Sequence, residues 1–257
     1  MKKFDSGLKK VYGEEIMKIR LLLISLVVLT LLTNIMSIYV KSEKTNITIY
    51  VDDDGGADYT KIQVAINNSN DGDTIYVYNG FYHENLNINK AINLIGENNK
   101  NTIIDGDSIY DTISIDANNV KISGFKIQHG FAGIGIDGAG YSNISNNIIF
   151  QNIVGISISF NSHYNKVYFN EIISNKNKGV NVFNIQKDNH NSFTKNNFID
   201  NGRNAESYAV KCEWNLNYWD NWIGNKINAL DFLPYLVYFY PLNFDWNPVS
   251  ERYDIVS

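Results

Sequence analysis

Between Ile122 and Asn201 a nine-residue phrase recurs four times, and a chain that coils and stacks on itself gives such a phrase a physical reason to recur. The copies are Ile122-Ser-Gly-Phe-Lys-Ile-Gln-His-Gly130, Ile144-Ser-Asn-Asn-Ile-Ile-Phe-Gln-Asn152, Val167-Tyr-Phe-Asn-Glu-Ile-Ile-Ser-Asn175 and Phe193-Thr-Lys-Asn-Asn-Phe-Ile-Asp-Asn201. Their starts lie 22, 23 and 26 residues apart, a period typical of repeat architectures. After each of the first three copies a glycine opens a second apolar alternation: Gly133-Ile-Gly-Ile136, Gly155-Ile-Ser-Ile158 and Gly179-Val-Asn-Val182. Pieces of strand length and period two, separated by Gly and Asn turn signals, predict one short strand after another with no helix between.

A leucine-rich repeat shares the period, but its leucine consensus is absent. Coils of equal length instead place like residues on like, about 4.8 Å apart, with all pairing parallel. The expected fold is therefore all-β, a single-stranded right-handed parallel β-helix. Phrase positions one (Ile122, Ile144, Val167, Phe193) and six (Ile127, Ile149, Ile172, Phe198) form apolar columns inside the coil. Position four supplies Asn147, Asn170 and Asn196, and position nine Asn152, Asn175 and Asn201. These are expected to be structural asparagine ladders, because an Asn at a bend satisfies local backbone while bonding its counterpart in the next coil.

Upstream, Leu21 to Val40 is free of charge and close to the roughly 20 residues that span a bilayer. Lys2, Lys3, Lys9, Lys10, Lys18 and Arg20 precede it, which keeps the N-terminus cytoplasmic and sends the rest outward. Met17 offers an alternative start, from which an ordinary export signal would open. No small-x-small cleavage site follows, so an uncleaved anchor is expected, with secretion the outcome if the segment is cleaved. Six of the 22 basic and three of the 27 acidic side chains lie before Leu21, leaving 16 basic against 24 acidic beyond it. That balance excludes nucleic acid as a partner, since phosphate binding needs a basic surface. Cys212 is the single cysteine, so no internal disulfide forms and stability must come from stacking.

Tyr59, Ile62 and Ile66, with Ala65 beside them, predict a short amphipathic helix that closes the open N-terminal end of the coil. The run from Tyr59 to Ile66, Asp71-Gly-Asp-Thr-Ile-Tyr-Val-Tyr-Asn-Gly80, Tyr82-His-Glu-Asn85, Ile92-Asn-Leu-Ile-Gly96 and Thr102-Ile-Ile-Asp-Gly106 resembles the opening of pectin-lyase-like β-helix proteins. Together with the Asn-rich phrases it is most similar to the NosD-type β-helix domain, a resemblance that covers about Ile47 to Asn201. It implies a surface or periplasmic protein in a carbohydrate-associated superfamily, and the family's name raises copper handling. The expected organisation is a cytoplasmic basic segment over 1–18, a signal-anchor over 19–40, the β-helix over 47–210 and an aromatic capping segment over 211–257. All four tryptophans (Trp214, Trp219, Trp222, Trp246) fall in this last part, and it is expected to leave the repeat.

Of the carboxylates Asp105, Asp107, Asp111, Asp116 and Asp137, the first two and Asp116 read as turn residues and Asp137 stands alone, so no catalytic residue is assigned. The soft ligands His83, His129, His163, His190, Cys212 and Met36, the last inside the apolar segment, form no sequence motif for a metal; no metal site and no cofactor is expected, although His163 and His190 enter adjacent coils. Three residues before successive phrases stand Tyr141, Tyr164 and His190. They predict an aromatic row along one outer edge, a means of holding sugar rings. The expectation is a membrane-tethered extracytoplasmic module that binds polysaccharide or a surface protein without catalysis; a carbohydrate-active enzyme and a copper-handling accessory protein are the alternatives.

Overall fold

The computed structural model describes residues 2–39, 45–183, 189–209, 211–221, 235–237, 243–245 and 247–255. Trp222, Trp246 and most of Leu230–Tyr240 lie outside the described residues. The chain divides into two compact units, Met1–Thr45 and Asn46–Ser257. In the first, helix α1 (Lys2–Tyr39) runs through both the basic segment and the apolar one. Its stretch Tyr12–Asn34 is long and apolar enough to cross a membrane, with mean hydropathy 2.2 and nothing buried.

The second unit is the right-handed parallel β-helix expected from the repeat, of the pectin-lyase-like kind. Six successive turns each give one strand to each of three sheets, which reach ten, seven and six strands because further strands extend the first two, among them the antiparallel pair Tyr235–Val237 and Asn243–Asp245. The first sheet starts with Thr48–Val51 and Thr74–Val77, the second with Gly80–His83 and Thr102–Asp105, and the third with Leu86–Ile88 and Ile113–Ile115. Within the phrases, Ile122, Ile144, Val167 and Phe193 sit in register in the first sheet. Ile127, Ile149, Ile172 and Phe198 do so in the second, and Ile113, Ile134, Ile156 and Val180 in the third. All twelve are buried, each contributing about 1.5–3 kcal/mol relative to exposure.

The corners show how a chain of L-residues closes such a coil. Residues with positive φ recur coil after coil: Asn119, Tyr141, Tyr164, His190 and Lys211 at one corner, Asn146, Phe169, Lys195 and Leu216 at the next, His129, Gln151, Ser174 and Asp200 at the third. Each non-glycine residue in this region costs about 1–2 kcal/mol. A buried amide usually follows it and recovers the backbone groups that the bend exposes. Asn170 is the pattern: its Oδ1 accepts from the backbone N–H and the Nδ2 of Asn147, while its Nδ2 donates to the carbonyls of Ile144 and Tyr168 and to Asn196 Oδ1. This ladder continues to Asn217 and ends on the Asp245 carboxylate. Asn152, Asn175 and Asn201 form a second ladder. A third, outside the repeated phrase, joins Ser142, Asn165 and Asn191.

Helix α2 (Ile62–Asn68) lies at the N-terminal end with Ile62, Ala65 and Ile66 buried. It has no cap of its own; the Glu84 carboxylate accepts the amides of Ile62 and Gln63 instead. At the other end the expectation that the repeat stops before Trp214 is corrected. Trp214 pairs with Phe193 in the first sheet and Trp219 with Phe198 in the second, their rings stacked at 4.1 and 4.2 Å. One further coil is thus present, with Trp in the apolar columns and Asn217 in the ladder. Beyond it the chain doubles back along the solenoid. Val249 bridges Tyr218, Tyr253 exchanges two hydrogen bonds with the Asn197 side chain, and the buried Ile255 accepts at its carbonyl from Asn99 Nδ2.

Asn170→Ala strips partners from the Asn147 amide and from two carbonyls at once, and buried polar groups left unmet cost about 1–3 kcal/mol each. We expect a loss of about 3 kcal/mol or more in denaturant unfolding. Gln151→Gly, at an exposed corner of positive φ, is expected to be close to neutral, and equal effects of the two substitutions would show that the ladders do not hold the coils.

Candidate functional site

The left-handed corner turns its side chains outward. Tyr141 and Tyr164 are about half exposed, and His190 follows in the next coil. Their rings stack, Tyr141 on Tyr164 at 5.3 Å and 3°, Tyr164 on His190 at 5.0 Å and 9°. With Tyr141 stacked on one side and His190 on the other, Tyr164 turns both faces towards its neighbours. The row therefore presents ring edges, hydroxyls and an imidazole rather than separate flat platforms. His163 lies one residue earlier in its coil, edge-on to Tyr141 and Tyr164, and its Nδ1 donates to the Asn161 carbonyl at 2.7 Å. His163 and His190 thus occupy different columns.

Sequence reasoning placed Asp105 in a turn; it is the last residue of its strand and the centre of a polar cluster. His129 Nδ1 approaches Asp105 Oδ1 at 2.5 Å, Gln128 Nε2 donates to the same oxygen at 2.8 Å, and His83 Nδ1 lies 3.3 Å from Oδ2. Three successive coils supply these groups, since Tyr82, Ile104 and Ile127 share one column. An ionised carboxylate only accepts, so each imidazole donates from Nδ1 and, when neutral, keeps its lone pair on Nε2. Partial burial raises the Asp105 pKa, but the hydrogen bonds from Gln128 and His129 and the histidine charge outweigh it and hold the group below its ordinary value. The spacings 83, 105 and 128–129 follow the coil period, which is the signal that would have found the cluster.

The next residues form the one departure from even coiling near this site. Seven residues, 106–112, link Thr102–Asp105 to Ile113–Ile115, where the two following coils use three, 129–131 and 151–153. Asp107 is a turn residue as expected: its Oδ1 accepts the amides of Ile109 and Tyr110, which hold its pKa down. Asp111 is not. Its Oδ1 accepts the Ala132 amide at 2.9 Å, and its Oδ2 lies over Gly135, where any Cβ would collide with it. Burial raises the Asp111 pKa and the Asp137 charge adds to this; Asp137 is itself raised by burial and then by Asp116. Beside Asp111 opens a groove of about 440 Å³ that includes Asn85, Asn87, Ser114, Ile109, Tyr110 and Phe131. Elsewhere the carboxylate oxygens of Asp52, Asp53 and Asp54 gather within 4.8 Å, but Asp53 accepts the Phe81 amide and Asp52 the Asp54 amide.

Asp105 and Asp111 should respond to pH with opposite sign. Asp105, with a depressed pKa, stabilises the fold above the ordinary carboxylate range and loses that contribution as pH falls through its folded pKa. Asp111, with a raised pKa, carries a penalty above that pKa which vanishes as pH falls below the ordinary range. Asp105→Asn is therefore expected to destabilise at neutral pH and Asp111→Asn to stabilise, both differences shrinking towards low pH in thermal unfolding across pH. Differences of the same sign for the two variants would refute this assignment.

No protein-family model matches the chain. Over 94 residues, 35% of its length, the chain is 42% identical to a cell surface glycoprotein of Methanothermus fervidus, of which those residues make up 16%. In structure it is similar to an alginate lyase from Paenibacillus, with a TM-score of 0.52 and 14% identity over 67% of this chain and 66% of that one. At that identity the likeness is one of fold, and it agrees with the pectin-lyase-like β-helix described above.

Proposed function

We propose that this chain is an extracytoplasmic surface module, tethered by α1, whose solenoid binds glycan without catalysis. The observation that carries the proposal is the identity shared with the cell surface glycoprotein. The stretch Tyr12–Asn34 supports it, having the length and composition of a membrane anchor. The proposed contact surface is the outer edge formed by Tyr141, Tyr164 and His190. With faces mutually covered, these residues would meet sugar hydroxyls through the phenol oxygens and the imidazole, as hydrogen-bonding groups on a rigid strip.

The tether is tested by expressing the full chain with a C-terminal epitope in a host that exports it. Antibody staining of unpermeabilised cells and retention in the membrane after alkaline carbonate are expected; staining only after permeabilisation would overturn the proposal. The contact edge is tested by Tyr141→Phe with Tyr164→Phe, which keeps the stacked rings and removes both hydroxyls. About tenfold weaker binding to the glycans captured by the parent protein on an array is expected, equivalent to about 1.4 kcal/mol, with unchanged thermal stability. Unchanged binding would remove the edge from the proposal.

A further inference from the structure

The groove beside the 106–112 loop is a site of different chemistry from the Tyr141 edge. We propose that it binds an amino-bearing saccharide, with a sugar ring against Tyr110 and Phe131 and its ammonium group paired with Asp111. The inference rests on the reading of the solenoid as a glycan binder, and four features of the groove lead to it.

An insertion in one coil of a regular solenoid projects from one face, and such insertions are where repeat proteins place binding loops. This one holds Ile109 and Tyr110 in solvent, about 70% exposed, beside the half-exposed Phe131. Phe131 is fixed against the loop by its amide, which donates to the Tyr110 carbonyl at 2.8 Å. Apolar rings held open to water with amides and a hydroxyl at their base (Asn85, Asn87, Ser114) suit a ligand with one apolar face and a polar rim, as a sugar ring has.

Charge then narrows the class. Asp111 uses one carboxylate oxygen on the Ala132 amide, and among the described residues no lysine or arginine lines the groove. Asp116 and Asp137 follow Ile115 and Ile136, which are paired in adjacent strands, so two like charges stack with no cation between them, an unfavourable arrangement on a sheet. A polyuronate would add anions to this surface, whereas an ammonium group relieves it. The seating of Asp111 depends on a glycine, because a side chain at Gly135 would displace the carboxylate. An ammonium charge would offset the burial and the Asp137 charge that raise the Asp111 pKa, so binding should fade as pH drops through that raised value.

The test uses the full chain in detergent micelles, with calorimetry at about pH 7, well above the ordinary carboxylate range and below that of an amine. The probes are a glucosamine tetramer, its N-acetylated form, a galacturonate tetramer and tetralysine. The glucosamine tetramer is expected to bind most tightly, and Asp111→Asn and Tyr110→Ala, both at solvent-accessible positions of the loop, to weaken it about tenfold or more. Equal binding of the N-acetylated form, the galacturonate or tetralysine, or an unchanged affinity in either variant, overturns the inference while leaving the surface-binding proposal standing. Absence of binding by any saccharide, on the array and in solution alike, overturns both.

Discussion

The amide ladder is the interaction on which the solenoid depends. A coil with three corners needs three sharp bends per turn, and bends in a chain of L-residues leave amides and carbonyls facing inward with no sheet partner. Asn170 and its counterparts meet that need because a carboxamide carries both an acceptor and two donors in one plane. Its reach sets the constraint: the ladder closes only if the same residue type returns at the same depth in every coil. Even spacing in the sequence and straight columns in the structure are therefore one requirement seen twice. The left-handed residues just before these amides, such as Asn146, Gln151 and Phe169, are strained positions that survive because the bonds beyond them hold the corner.

This explains what could be read from the sequence and what could not. The apolar columns and two of the ladders were legible because Ile, Val, Phe and Asn repeat within a nine-residue phrase. The third ladder was not, since it begins with Ser142 and sits where coil lengths vary. The last coil escaped because Trp214 and Trp219 stand at positions that Ile, Val and Phe hold in the earlier coils; the register is the same, but the residue type had suggested a cap. Before Ile122 no repeated phrase marks the coils, so the alignment of His83, Asp105 and His129 was passed over although their spacings follow the coil period; the register of Tyr82, Ile104 and Ile127 makes it plain. The Tyr141 row was legible in position but not in orientation, because sequence spacing fixes which coil a ring belongs to and leaves its tilt to packing.

Asp105 and Asp111 illustrate how a rigid face differentiates like residues. Six positions apart, they lie on either end of one inserted loop. Asp105 meets two imidazoles and an amide contributed by the coils before and after its own, so its charge is welcome there. Asp111 meets a single backbone amide and the field of another carboxylate, so its charge is not. Neither environment follows from the local sequence; each is assembled from residues a full coil away. A solenoid of this kind can therefore change its surface chemistry by lengthening one corner, with the columns beneath left intact.

Successive coils touch only their immediate neighbours, an arrangement that by itself would let the chain peel open from either end in small steps. The returning C-terminal segment alters this. By tying Ile255 to Asn99 across 156 positions, and Tyr253 to Asn197 on the way, it adds the longest-range hydrogen bonds among the described residues. Such contacts raise contact order and are made late, after the loop they close has been ordered. The segment thus couples early and late coils into a single cooperative unit, and the latch that completes the fold is also the part whose release would begin its unravelling.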